Sequence, residues 1–289
     1  MRRIAILPIG LLAALTAFSQ TAPAPKPATP AGGTAPAAGA AAPATPGAPG
    51  ATGAPAAEPT GPHPKSPEEN QALLDMFKAQ DPDTQIKAAQ DILDKYPDTD
   101  YKAQVLLVQA QGYHAKKDDP KAIVAGEKSL EADPKSYEAL LLLAEIYSRT
   151  TRSTDLDMDD RLAKSDKYAH DALTILATAE KPKPDITDEQ WAGVKQGESE
   201  RAYMSLGLSA VLKKKYDDAK TNFDKAMSLY PDPLDMLYIE RSYTAAKRYD
   251  DALTWIAKVE ANTSPDAAQF KDIATKDKAH VEQLKKQGQ

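Results

Sequence analysis

Residues 203–231 read YMSLGLSAVLKKKYDDAKTNFDKAMSLYP. Apolar and small residues fall at helical spacing on either side of the lysine run Lys213–Lys215, so the stretch predicts two short amphipathic helices joined by a tight turn. The small residues stand where two helices must touch. The second half then recurs: Lys215-Tyr216-Asp217-Asp218-Ala219 is echoed 33 residues later by Arg248-Tyr249-Asp250-Asp251-Ala252. A repeat of that period marks a helical array in which each unit buries its apolar face against its neighbours.

The same pattern extends in both directions. Leu106, Ala110 and Tyr113 return 34 residues on as Leu140, Ala144 and Tyr147. Units are expected at about 66–100, 101–134, 135–180, 187–231 and 232–264, the third carrying a polar insertion at 148–160. Ser66-Pro67-Glu68-Glu69 has a cap, a first-turn proline and carboxylates toward the helix dipole. Thr187 and Gln190 have capping-box spacing ahead of a long helix that includes Trp191. Trp191 reads as a core contact or as an exposed anchor. Residues 265–289, amphipathic with many charges, predict a polar-faced helix closing the array.

Tyr203, Leu206, Gly207, Tyr216, Ala219, Phe223, Ala226 and Pro231 together resemble the tetratricopeptide-repeat (TPR) pattern, and the chain is similar to an exported bacterial member of that family. The resemblance implies an all-α, right-handed α-solenoid acting as a non-catalytic scaffold that binds another protein or peptide. It also implies that a stripe on the first helix of each unit lines a concave groove. The stripes here are Leu107 with Gln111, Leu141 with Glu145, Met204 with Leu208, and Leu237 with Arg241. Family members that clamp a terminal carboxylate use lysine and asparagine on this face. Both are absent, which points to an apolar or amphipathic segment lying in the groove. Two alternatives stay open: the Trp191 helix or a second copy fills the groove, or the chain is a self-assembling or accessory unit of an envelope complex. In the fifth unit Glu240 stands where the pattern has a small residue, a departure from the repeat.

The front of the chain has another composition. Residues 1–19 join a basic start (Arg2, Arg3), an apolar run from Ile4 to Phe18 and a small-residue Ala17-Phe18-Ser19 site, the layout of a secretory signal. Residues 20–65 hold 12 of the chain's 23 prolines and no large apolar side chain. Such a segment cannot offset its ordering entropy by burial, so a disordered Ala/Pro/Gly linker is expected. It serves as a spacer or as a tail with no partner. The periplasm or envelope is the expected location, with membrane contact only through an uncleaved N-terminal segment. The net charge of −6 argues against nucleic acid as partner.

No catalytic constellation appears. There is no cysteine, and His63, His114, His170 and His280 are scattered without ligand spacing. No cofactor is expected. Asp155, Asp157, Asp159 and Asp166 approximate the spacing of a calcium loop, but Asp160 stands where that loop needs glycine and Asp166 where it uses glutamate. The other reading is a solvated loop whose last aspartates cap a helix near Arg161.

Overall fold

The computed structural model describes residues 61–182, 185–264 and 267–288. The expected signal peptide at 1–19 and the linker from 20 to 60 lie outside the described residues. Among the described residues the chain is all helix: α1 (Pro67–Lys78) pairs with α2 (Pro82–Lys95), α3 (Lys102–Ala115) with α4 (Asp119–Ala132), α5 (Tyr137–Thr150) with α6 (Met158–Thr178), α7 (Asp188–Leu212) with α8 (Tyr216–Leu229), and α9 (Pro233–Ala245) with α10 (Tyr249–Ala261). A last helix, α11 (Ala268–Gln287), lies on α10 and α9.

Local chemistry sets the helix ends. The Ser66 hydroxyl accepts the Glu69 amide at 3.1 Å, and Thr187 and Gln190 form a reciprocal capping box. These bonds satisfy amides that a helix N-terminus leaves without partners. Three of the turns within pairs share one device. Lys117, Lys214 and Lys247 have left-handed backbone (φ 65°, 60° and 59°). In each, the next amide reaches back five residues: Asp118 to Tyr113, Lys215 to Ala210 and Arg248 to Tyr243. This is a Schellman closure, built here on lysine where glycine is usual.

The linker boundary and the insertion both differ from expectation. Residues 61–65 are folded onto the first two pairs rather than belonging to the linker. Pro64 is buried, and the Tyr101 hydroxyl donates to the Pro62 carbonyl at 2.9 Å. Tyr101 is itself buried, and a buried hydroxyl needs an acceptor. The insertion is shorter than 148–160 because α5 continues to Thr150 and α6 begins at Met158. Hydroxyls of Thr150 and Thr151 bond back to the Ile146 and Tyr147 carbonyls, both at 2.7 Å, occupying acceptors near the helix end.

From α3 onward, each first helix packs on the first helix of the next pair, α3 on α5, α5 on α7 and α7 on α9. Among the described residues no second helix packs closely on another second helix. The row of first helices is therefore the inner side of the curve. The core is divided into four clusters strung along the array, as expected where each unit touches only its neighbours. At one of them Phe223 is fully buried, with its ring edge-on to Tyr243 and Trp255. Gly207 admits that ring: a β-carbon there would lie 2.3 Å from it. Glu240, the departure from the pattern in the fifth unit, is buried and accepts the Thr244 hydroxyl at 2.8 Å.

Candidate functional site

The apolar stripe residues are not an open surface. Leu107, Leu141, Met204, Leu208 and Leu237 are all buried, Leu141 to 1 % exposure. The reason is the number of neighbours. α5 packs on α3, α4, α6 and α7, so its Leu140–Leu143 run is enclosed on every side. The groove read from these leucines is thus closed by packing between first helices. Of the polar partners, Gln111 is exposed, and Arg241 is held by Asp277 of α11 at 3.1 Å. Glu145 lies in a charged cluster.

That cluster is what the inner face presents. Arg201 of α7 donates to Glu145 of α5 at 3.1 Å and to Glu198 at 2.8 Å. Arg149 of α5 pairs with Glu145 at 3.2 Å and with Asp235, in the first turn of α9, also at 3.2 Å. Arg149 also stacks on Tyr238, its guanidinium carbon 4.2 Å from the ring centre, and Tyr238 stays 38 % exposed. An α5 side chain therefore reaches α9 directly, across the row that α7 continues. Only residues 86 apart in sequence but adjacent on the inside of a curve can do this.

The electrostatics are uneven. Burial works to raise the Glu145 pKa, but the Arg201 and Arg149 guanidiniums outweigh it and hold the carboxyl at about 2. Glu200 goes the other way. Burial, then the charges of Asp235 and Asp232, push it up to about 9 against Arg149 and Arg201. It is only 4 % exposed, and its Oε1 makes no hydrogen bond. Glu138 is likewise raised by burial. Neither Arg149, Arg201, Glu198, Glu200 nor Asp235 stands out in the sequence. The available signals were Glu145 and Arg149 in α5, four apart, and Glu198 and Arg201 in α7, three apart, both spacings of a helix ion pair.

Trp191 is a core contact: it is buried, and its Nε1 donates to the Ala179 carbonyl at 3.1 Å. The calcium reading is corrected. The twelve-residue span that starts at Asp155 is mostly helix, because α6 begins at Met158. Asp155 accepts the Arg152 amide at 2.8 Å, while Asp166 is two turns into α6 and bonded to Lys213 at 2.6 Å. Asp157 and Asp159 do not converge with them: among the described residues no three acidic or histidine side chains come together as metal ligands would. On α3, His114 Nδ1 lies 2.7 Å from Asp119, and it ties the α3–α4 turn.

No protein-family model and no curated protein matches the chain. Among solved structures it is similar to the crystal structure of TTC0263, a thermophilic TPR protein in Thermus thermophilus, at 16 % identity and a TM-score of 0.49, over 72 % of this chain and 98 % of that one. The helix pairs, their 33- and 34-residue period and the Gly207 close approach make the described chain an all-helical array of TPR-like repeats.

Proposed function

We propose that the protein is a non-catalytic protein-interaction scaffold of the bacterial periplasm or envelope, which holds a segment of another protein against the inner face of α5, α7 and α9. One observation carries this reading. Arg149 crosses from α5 to Asp235 and Tyr238 on α9, so three successive first helices contribute to one continuous, partly exposed surface. A face that combines half-buried charge with an exposed aromatic ring is suited to recognition. The location rests on the basic, apolar and small-residue order of residues 1–19. Among the described residues no helix is long and apolar enough to cross a membrane.

The burial of the five apolar stripe residues favours a second reading, in which the face is internally filled and the chain is a structural or self-assembling unit. Photo-crosslinking in intact cell envelopes separates the two. A benzophenone side chain at Tyr238, on the inner face, is compared with one at Val124, exposed on the second helix α4. Adducts to another protein from position 238 and none from 124 are expected. Adducts only between copies support the structural reading, and equal adducts from both positions remove the inner face as a receptor.

A further inference from the structure

The second helices form the outer row, and the side chains that span the gaps between them can be compared in register. Ala122 of α4, Ser165 of α6, Ala219 of α8 and Ala252 of α10 are equivalent, each buried and followed by buried residues four and seven positions on. Five positions after the first three of these stand Glu127, His170 and Asp224. Glu127 is bridged by Lys164 of α6 at 3.0 Å, and Asp224 by Lys258 of α10 at 3.1 Å. Among the described residues no α8 side chain bridges to His170 in the same way. The register equivalent of Lys164 is Asp218, and that of Lys258 is Lys225, which lies over the Tyr203 ring at 5.3 Å instead. The α6–α8 gap therefore lacks the lysine that spans the gap on either side of it.

This gap is an open cleft of about 330 Å³, lined by His170 of α6, by Leu206 and Ala210 of α7, and by Asp218 of α8. Asp218 is exposed; Asn222 bonds its backbone carbonyl, and among the described residues nothing pairs with its carboxylate. His170 Nδ1 lies 2.7 Å from the Asp166 carbonyl oxygen. That oxygen can only accept, so Nδ1 carries the hydrogen and Nε2 is left as an acceptor. Lys213 also lines the cleft, but Asp166 already holds it at 2.6 Å.

We propose that this cleft takes a lysine side chain from a segment of another protein, as a second binding site on the outer row. The lysine stem lies along Leu206 and Ala210, and its ammonium donates to the Asp218 carboxylate and to His170 Nε2. The partner thus supplies from outside the bridge that Lys164 and Lys258 supply in the two flanking gaps. An anion is disfavoured because Lys213 is taken by Asp166 and because Asp217 and Asp218 occupy the first turn of α8. A metal ion is disfavoured because among the described residues no three acidic or histidine side chains converge. The cleft shares no residue with the inner face, so the two sites stand or fall separately.

The test is an NMR titration of the isotope-labelled full chain with a blocked Ala-Lys-Ala-Ala-Lys-Ala peptide, with the same peptide acetylated on both lysine side chains, and with its glutamate counterpart. The lysine peptide should give saturable shifts at His170 and Asp218. The acetylated peptide, which keeps the stem and loses the charge, should give none. Asp218→Asn should weaken binding about tenfold, the scale of one charge-assisted hydrogen bond. Asp217→Asn, on the same exposed turn but outside the cleft, should change nothing. His170→Glu combined with Asp218→Lys gives the gap the acid and lysine of its neighbour, and should abolish binding without lowering the melting temperature. If that double variant does not fold, the two asparagine variants decide the question alone. Equal weakening by Asp217→Asn would reduce the effect to general charge attraction and overturn the proposal. So would equal shifts from the acetylated peptide, binding of the glutamate peptide instead, undiminished binding by the folded double variant, or no binding.

Discussion

Gly207 is the residue on which the approach of α7 to α8 depends. A β-carbon there would meet Phe223 at 2.3 and 2.4 Å, and the ring has no room to swing because Tyr243 and Trp255 flank it at centroid distances of 5.8 and 6.1 Å. Alanine would gain about 1 kcal/mol of helix propensity. Overpacking a closed core costs about 1–3 kcal/mol, so with a contact this short the clash wins. Gly207→Ala is expected to lose about 1–2 kcal/mol in urea unfolding, and a gain would mean that the α7–α8 contact is looser than the ring positions indicate. Glu200 acts at the same scale through pH. Its folded pKa is raised from 4.5 to about 9, by burial first and then by Asp235 and Asp232. A group raised in this way contributes stability that is complete below the unfolded pKa and is lost as pH climbs through the folded one. Glu200 therefore erodes stability between about pH 4.5 and about pH 9. Glu145, held at about 2, has the opposite sign and gives up its contribution only as pH falls from about 4.5 toward that value. Glu200→Gln should raise the melting temperature by an amount that grows from near zero at the acid end of the Glu200 window to a maximum at its alkaline end. A constant difference across the window would mean that Glu200 does not titrate there.

At the scale of elements, the period did most of the work. The KYDDA and RYDDA echoes fall where α8 and α10 begin, and the amphipathic spacing between them is sufficient to identify an all-helical repeat fold. What spacing could not reveal was the number of neighbours each helix has. An i, i+4 pair such as Leu141 with Glu145 marks one side of a helix, and that side is open only if nothing packs there. α5 is enclosed by four others, so its leucines are buried while Glu145, one turn further, joins the charged face. The aspartate-rich stretch after α5 misled for a related reason. Its residues suit a loop, yet Thr150 and Thr151 extend the preceding helix through their hydroxyls, and Asp159 and Asp160 fall in the first turn of α6, where the dipole favours them. The left-handed lysines at the turns are readable only through the repeat. No propensity places lysine there, but three copies of one turn do.

Across the whole molecule, the candidate site was the least legible part, because its members come from three repeats and Arg149 and Asp235 are 86 residues apart. Local pattern carries no information about such a pair; only curvature of the array brings it together. That pair also departs from the way a solenoid normally holds itself together, where each unit depends on its immediate neighbours. The consequence can be measured by removing the last helix. α11 supplies Ala274 and Val281 to the cluster that contains Val259, Ile256 and Tyr243, and its Asp277 holds Arg241. A chain ending at Ser264 should lose amide exchange protection by about tenfold or more in α9 and α10. α1 to α4 draw their packing from separate clusters and should keep theirs. If α9 loosens, the partner of Arg149 loosens with it, so the C-terminal turn of α5 should lose protection while its first two turns do not. That broken gradient, weak at the far end and reappearing in one turn of α5, is what the Arg149–Asp235 bridge predicts. A smooth decline along the chain would mean that the bridge carries no energy, and a uniform loss would mean that the repeats unfold as one unit.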